Sequence, residues 1–134
     1  MHKSKLAGFI IDCRTDDLDR AAGFWGGALG MSVRDLPGEE GIIYKQLVDP
    51  RQALHIEVQQ VAHSSRVHLD IESNDIEAEV RRLEGLGARR IQNVHTWCVM
   101  EAPTGQRFCV VRAASASFED QATQWPSFAP PSAT

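Results

Sequence analysis

Residues 6–30 read LAGFIIDCRTDDLDRAAGFWGGALG, and they predict the first two elements of the fold. Leu6 to Cys13 is short and rich in aliphatic and aromatic residues, which predicts a buried strand rather than a helix. Thr15-Asp16-Asp17 then brings N-cap chemistry and acidic charge, both favoured where orphan N–H groups open a helix. Leu18, Ala21, Ala22, Trp25 and Leu29 recur at spacings of three and four, an apolar stripe that closes on Gly30 as its C′ residue. A strand followed by a helix is expected.

Three further strands are predicted behind them, over Met31 to Arg34, Ile42 to Val48 and Ala53 to Gln59. Pro37-Gly38 and Asp49-Pro50 supply the turns between them. The order is β, α, β, β, β, and it then repeats. Val67 to Ile71 reads as a strand. Ser73-Asn74-Asp75 opens a second helix running to Leu86-Gly87, with Asn74 and Glu77 spaced for a capping box. Arg89 to Asn93, Trp97 to Glu101 and Arg107 to Arg112 complete the set, with Pro103-Thr-Gly105 as the turn before the last strand. Each half carries a strand, an Asp-Leu or Asp-Ile pair, and a helix ending on Leu-Gly, at Asp17-Leu18 to Leu29-Gly30 and at Asp75-Ile76 to Leu86-Gly87. This is an internal duplication.

Its motifs are Asp17-Leu18 with Phe24-Trp25 and Leu29-Gly30, then His68-Leu-Asp-Ile-Glu-Ser-Asn-Asp75-Ile76, then Pro103-Thr-Gly105-Gln-Arg-Phe108. Together they resemble the glyoxalase, bleomycin-resistance and extradiol-dioxygenase group, the vicinal oxygen chelate superfamily, over residues 6 to 113. The resemblance is greatest to its glyoxalase-like domain proteins. It implies an α+β fold of two βαβββ modules, about 6–62 and about 63–113, forming a curved mixed sheet, a half-open barrel with the helices outside. Residues 1–113 are then one domain, and 114–134, rich in Ala, Ser, Gln and Pro, are a mostly irregular tail carrying Phe118, Trp125 and Phe128.

In metal-using members of the group, ligands come from the first and last strand of each module. Those positions fall here on Ile10, Glu57, His68 and Cys109, so that only Glu57 and His68 match a ligand type. The resemblance therefore implies Glu57 and His68 as the central polar pair, catalytic or metal-binding. Strand alternation adds Asp12, His55 and Asp70 to the same surface, with Trp97 and Cys109 as further ligand-binding candidates. Imidazole and carboxylate suit a divalent zinc, nickel, manganese or iron ion, and no other cofactor is signalled. Without a metal, the same pair can orient polar groups or move protons.

Three functions are consistent with these residues. The first is a glyoxalase-like small-molecule-binding protein, acting as a lyase or isomerase on an oxygen-rich metabolite if it is an enzyme. The second is a metal-independent drug-sequestering protein of the bleomycin-resistance type. The third is a metal-dependent lyase or dioxygenase with a shifted ligand set. A homodimer is expected from the resemblance alone.

Composition removes other classes. A formal net charge of -4, with Lys and Arg scattered, argues against a nucleic-acid partner. Arg81-Arg82 is expected to be a solvated helix face. No apolar run approaches a membrane span and the N-terminus lacks the build of a signal peptide, so no membrane association and a cytoplasmic location are expected. Cys13, Cys98 and Cys109 include no CxxC pair and are expected to be buried thiols. His63 and His95 are expected beside turns, in water, and His2 is terminal.

Overall fold

The computed structural model describes residues 1–37 and 42–126. The protein is α+β, with its strands in a mixed sheet. In chain order the elements are β1 His2–Arg14, α1 Leu18–Leu29, β2 Ser32–Asp35, β3 Ile43–Val48, β4 His55–Val61 and β5 Arg66–Ser73. They continue with α2 Ile76–Gly85, β6 Arg89–Val94, β7 Trp97–Glu101, β8 Arg107–Arg112, α3 Phe118–Gln121 and β9 Thr123–Trp125. Of the predicted turn Pro37-Gly38, Gly38 lies outside the described residues, as does Phe128. Packing divides the chain into two units, Gly8–Leu69 and Met1–Ala7 with Asp70 onward, and both β1 and β5 pass through the division.

In Gly8–Leu69 the strand order is β2-β3-β4-β1. β1 and β4 are parallel, pairing Gly8 with His55, Ile10 with Glu57 and Asp12 with Gln59. β3 runs antiparallel to β4, pairing Gln46 with Glu57 and Leu47 with Ile56. Alternation then sorts the side chains by face. Ile11, Ile56, Val58 and Leu47 turn towards α1 and enclose Leu18 and Ala22, with Phe9, Cys13 and Trp25 around them. Fully burying a side chain such as Leu47 or Ile56 contributes about 1.5–3 kcal/mol. Ile10, Asp12, His55, Glu57, Gln59, Tyr44 and Gln46 consequently project from the opposite face.

Helix α1 begins where the acidic cluster predicts. The Asp17 carboxylate accepts the Arg20 N–H at 3.1 Å, and Gly30 closes the helix in the left-handed conformation at φ 68°. Gly8 is required for a different reason, since a Cβ there would lie 1.9 Å from the His55 carbonyl oxygen. Only glycine lets β1 approach β4 closely enough to hold this register.

In the other unit β8-β7-β6 run side by side beyond β5. Val80 and Leu83 of α2 pack on Cys98, Met100, Phe108 and Val110, with Ile71 and Ile76 beside them. The expected capping box is replaced by a simpler cap. The Asp75 carboxylate accepts the Ala78 N–H at 3.1 Å. Asn74 instead accepts the Lys3 N–H at 2.8 Å, and Glu77 pairs with Arg90 at 2.6 Å. Asp75 wins because it stands one residue closer to the first helical turn. The turn before β8 forms as predicted, with the Gly105 N–H donating to the Ala102 carbonyl at 2.9 Å and Gly105 at φ 93°.

The stretch expected as an irregular tail carries α3 and β9. Phe118 is buried, and β9 pairs antiparallel with β1, Trp125 opposite His2. The Trp125 indole N–H donates to the Ser4 hydroxyl at 2.9 Å, and its ring lies 3.8 Å below the Arg82 guanidinium. Arg82 is thus not part of a solvated face. It also forks onto Glu79 at 2.8 and 2.9 Å, and His2 meets the same carboxylate at 2.8 Å. Two aromatics and one buried carboxylate order a segment whose composition alone reads as loose.

Candidate functional site

The face of Gly8–Leu69 turned away from α1 gathers polar side chains on adjoining strands. Asp12 on β1 is 2% exposed, and its Oδ2 lies 2.7 Å from Nδ1 of His68 on β5. An ionised carboxylate only accepts, so in this contact the imidazole donates from Nδ1. The other Asp12 oxygen, Oδ1, is buried and has no hydrogen-bond partner among the described residues. Leaving such an atom unsatisfied costs about 1–3 kcal/mol, a cost that functional sites commonly carry. Arg66, two residues before His68 and on the same strand face by alternation, brings its Nε to 3.6 Å from Asp12 Oδ2.

A second pair stands on β4. His55 Nε2 lies 2.7 Å from Glu57 Oε1, and the Gln46 amide approaches His55 Nδ1 at 3.4 Å. The Gly8–His55 approach holds this end of β4 in place. Among the described residues Glu57 takes His55, not His68, as its hydrogen-bond partner. The two residues singled out as a central pair therefore each carry a partner of their own, Asp12 for His68 and His55 for Glu57. The face presents two imidazole–carboxylate pairs.

Ile10 is 3% exposed and lies in register with Glu57. An apolar, buried side chain thus occupies the first of the four metal positions that the family pattern implies, and Glu57 at the second is engaged by His55. The family's four-position metal set does not fit this chain. In the other unit, a carboxylate oxygen of Asp70 and the Sγ of Cys109 lie within 4.8 Å of one another. His68 stands two residues before Asp70 on β5, so alternation turns both to one strand face. Thiolate, carboxylate and imidazole are donors that suit a borderline-soft divalent ion.

Cys109 pairs in register with Val99 on the face of β8 away from α2 and is half-buried rather than in the core. Trp97 falls on the same face of β7 by alternation and is half-buried, its ring 5.5 Å from that of His95. Burial pushes the thiol of Cys98 up, and burial with the Asp12 charge does the same for Cys13, so neither has thiolate character. Among the described residues no disulfide joins Cys13, Cys98 or Cys109.

Sequence reasoning missed Arg66 and Gln46. The period-2 pattern that brought Asp70 in beside His68 would also have found Arg66. It missed as well the burial of His2, 4% exposed against a fully buried Glu79. Nothing in a terminal His-Lys-Ser-Lys string indicates that.

The glyoxalase-like domain model matches residues 8–111. No curated protein sequence matches the chain. Among solved structures, a methylmalonyl-CoA epimerase from Mycobacterium tuberculosis is similar at 20% identity and TM-score 0.63, over 81% of this chain and 87% of that one. A hypothetical protein from Bacillus halodurans is similar at 15% identity and TM-score 0.62, over 83% and 95%. The Streptomyces coelicolor methylmalonyl-CoA epimerase bound to 2-nitronate-propionyl-CoA gives 15% identity and TM-score 0.54, over 84% and 97%. At these identities the likeness is one of fold.

Proposed function

The chain belongs to the glyoxalase-like domain family of the vicinal oxygen chelate superfamily, and on that premise we propose that it moves a proton on a small, oxygen-rich metabolite, as an isomerase or lyase. The observation that carries this reading is the 2.7 Å contact between the buried Asp12 carboxylate and His68 Nδ1. Asp12 orients the ring and stabilises it when protonated, as an orienting carboxylate does for a general base. His68 Nε2 then takes the proton from a carbon beside a carbonyl, and the electron pair moves onto the carbonyl oxygen. The amides of Gln46 and Gln59 project from the same face and can donate to that developing oxyanion.

The His55–Glu57 pair is the second acid–base group. Glu57 and Asp12 stand on neighbouring strands two register positions apart, about 8 Å between Cα atoms from strand spacing and rise. Two proton-moving groups at that separation can flank one reacting carbon. A proton of its own, delivered to that carbon by the second group when it starts protonated, isomerises the substrate and leaves His68 protonated; departure of a group from the adjacent carbon with its electron pair, protonated by the second group, makes the reaction a lyase step. Methylmalonyl-CoA epimerases are among the proteins of similar fold, and the choice of an isomerase chemistry draws on that likeness. A cytoplasmic homodimer belongs to the same proposal, and cysteines outside any disulfide accord with a reducing compartment.

A second reading rests on Asp70 and Cys109. A zinc-type ion held by these two, with its remaining positions open to solvent or substrate, would polarise a bound carbonyl as a Lewis acid.

Both are tested by solvent deuterium exchange at the α-carbon of a panel of 2-substituted acyl thioesters and 2-hydroxyketones, followed by proton NMR. The wild-type protein exchanges at least one of them, and Asp12→Asn and His68→Ala slow it by about 10²- to 10⁴-fold. Exchange that survives His68→Ala, or fails for the entire panel, rules out the proton-transfer reading. Loss on chelation and in Cys109→Ser, with restoration by zinc, favours the metal reading; persistence through both removes it.

A further inference from the structure

Arg66 has no role in the proton transfer just described, yet its guanidinium stands at the edge of the Asp12–His68 pair. We propose that Arg66 is the residue that selects the substrate, by gripping a carboxylate on it, so that the substrate class is an anionic carbon acid. The inference rests on the proton-transfer reading for the position of the reacting carbon and on the geometry of Arg66 for the anion.

Three observations lead to it. Arg66 is 49% exposed, and its ties are loose, a 3.6 Å ion pair from Nε to Asp12 Oδ2 and a 3.4 Å contact from an Nη to His63 Nε2. An arginine serving only as counter-charge to a buried carboxylate gains most by forking onto it at about 2.7–2.9 Å, as Arg82 does on Glu79. Arg66 does not. Among the described residues its remaining N–H donors meet no acceptor, which leaves them for a second planar oxyanion, the geometry that a guanidinium fork matches and an ammonium does not.

Position supplies the second argument. Arg66 and His68 are alternate residues of β5, on one face and about 7 Å apart along the strand. A carboxylate held by Arg66 therefore lies one or two bonds from a carbon presented to His68. The third argument is charge. Asp12 and Glu57 place two carboxylates on this face, and without a fixed cation they would repel an anionic substrate. Arg66 supplies that cation beside the reacting group, and a carboxylate on the substrate also fixes which of its carbons meets the base.

The test is calorimetric titration with malonate, its neutral diamide malonamide, and inorganic phosphate, on wild type, Arg66→Gln, Arg66→Lys and His68→Ala. Wild type is expected to bind malonate more tightly than malonamide or phosphate. Arg66→Gln weakens malonate by about tenfold and leaves malonamide unchanged. Arg66→Lys recovers only part of the loss, because it restores charge without the fork. Equal affinity for malonate in wild type and Arg66→Gln overturns the proposal. So does an equal loss for malonamide, the mark of a purely structural role, and so does phosphate binding as tightly as malonate. Malonate held through Arg66 with no α-proton exchange on any substrate would instead fail the proton-transfer reading and leave the anion site standing. In a protein that does exchange, Arg66→Gln raises KM for carboxylate-bearing thioesters and spares their neutral esters.

Discussion

Glu79 is the most deeply buried carboxylate of the described residues, and its surroundings make it a residue-scale stability determinant. Burial raises its pKa, but hydrogen bonds from Arg82, His2 and Ser4 outweigh that and hold it below the usual carboxylate range. A carboxyl depressed in the folded state contributes stability that is present above its ordinary value of 4.5 and lost as pH falls through the lower, folded value. Glu79→Gln should therefore cost about 1–3 kcal/mol at neutral pH, by leaving the half-buried Arg82 guanidinium without its paired charge, and flatten the acid limb of the stability curve. Urea unfolding of both proteins between pH 3 and pH 7, near the carboxylate range, checks this. Parallel curves would show that Glu79 carries none of the pH dependence. At this scale the sequence named Asp12, His55, Glu57 and His68, because alternation along strands needs only residue order. It assigned the partners differently, because pairing depends on which strand lies beside which. β1 sits next to β4 and presents Asp12, a residue of another segment, to His68.

Glycine at two kinds of position separates what each element tolerates. Gly23 and Gly27 lie on the exposed side of α1, and a Cβ at either would meet nothing within 4 Å. Gly23→Ala and Gly27→Ala should each stabilise by about 1 kcal/mol through helix propensity and reduced freedom of the unfolded chain. Gly26→Ala would place its Cβ 2.8 Å from the Met31 carbonyl oxygen, and Gly8→Ala would meet the His55 backbone. Both should destabilise, Gly8→Ala severely enough to lose the β1–β4 register and with it the His55–Glu57 pair. Thermal melts of the four variants test this, and a tolerated Gly8→Ala would contradict the register described here. Elements were readable where local chemistry decides them: β7 and β8 fall on their predicted spans, and α1 begins and ends on its predicted caps. β1 extends beyond Leu6 to Cys13 on both sides, because its N-terminal residues pair with β9 and Arg14 pairs with Val61 of β4, so that each end gains order from a remote segment. No local pattern could report that pairing, and for the same reason α3 and β9 escaped the compositional reading of the tail.

The duplicated βαβββ order was visible across the whole molecule because two helices with matched Asp-Leu and Leu-Gly boundaries are a periodic signal. Function was not visible at that scale, since one fold hosts many chemistries and the family's metal positions are only half kept here, with Ile10 at one of them. What this chain presents is a buried aspartate holding a histidine, beside a second imidazole–carboxylate pair. The most direct measurement is the tautomer of His68, read from ¹⁵N shifts of histidine-labelled protein at neutral pH, with Asp12→Asn as the reference. A ring protonated on Nδ1 and unprotonated on Nε2, with this preference weakened in Asp12→Asn, is the result expected. A ring protonated on Nε2, or His68 shifts indifferent to Asp12→Asn, would contradict the assignment of His68 as the proton-moving group.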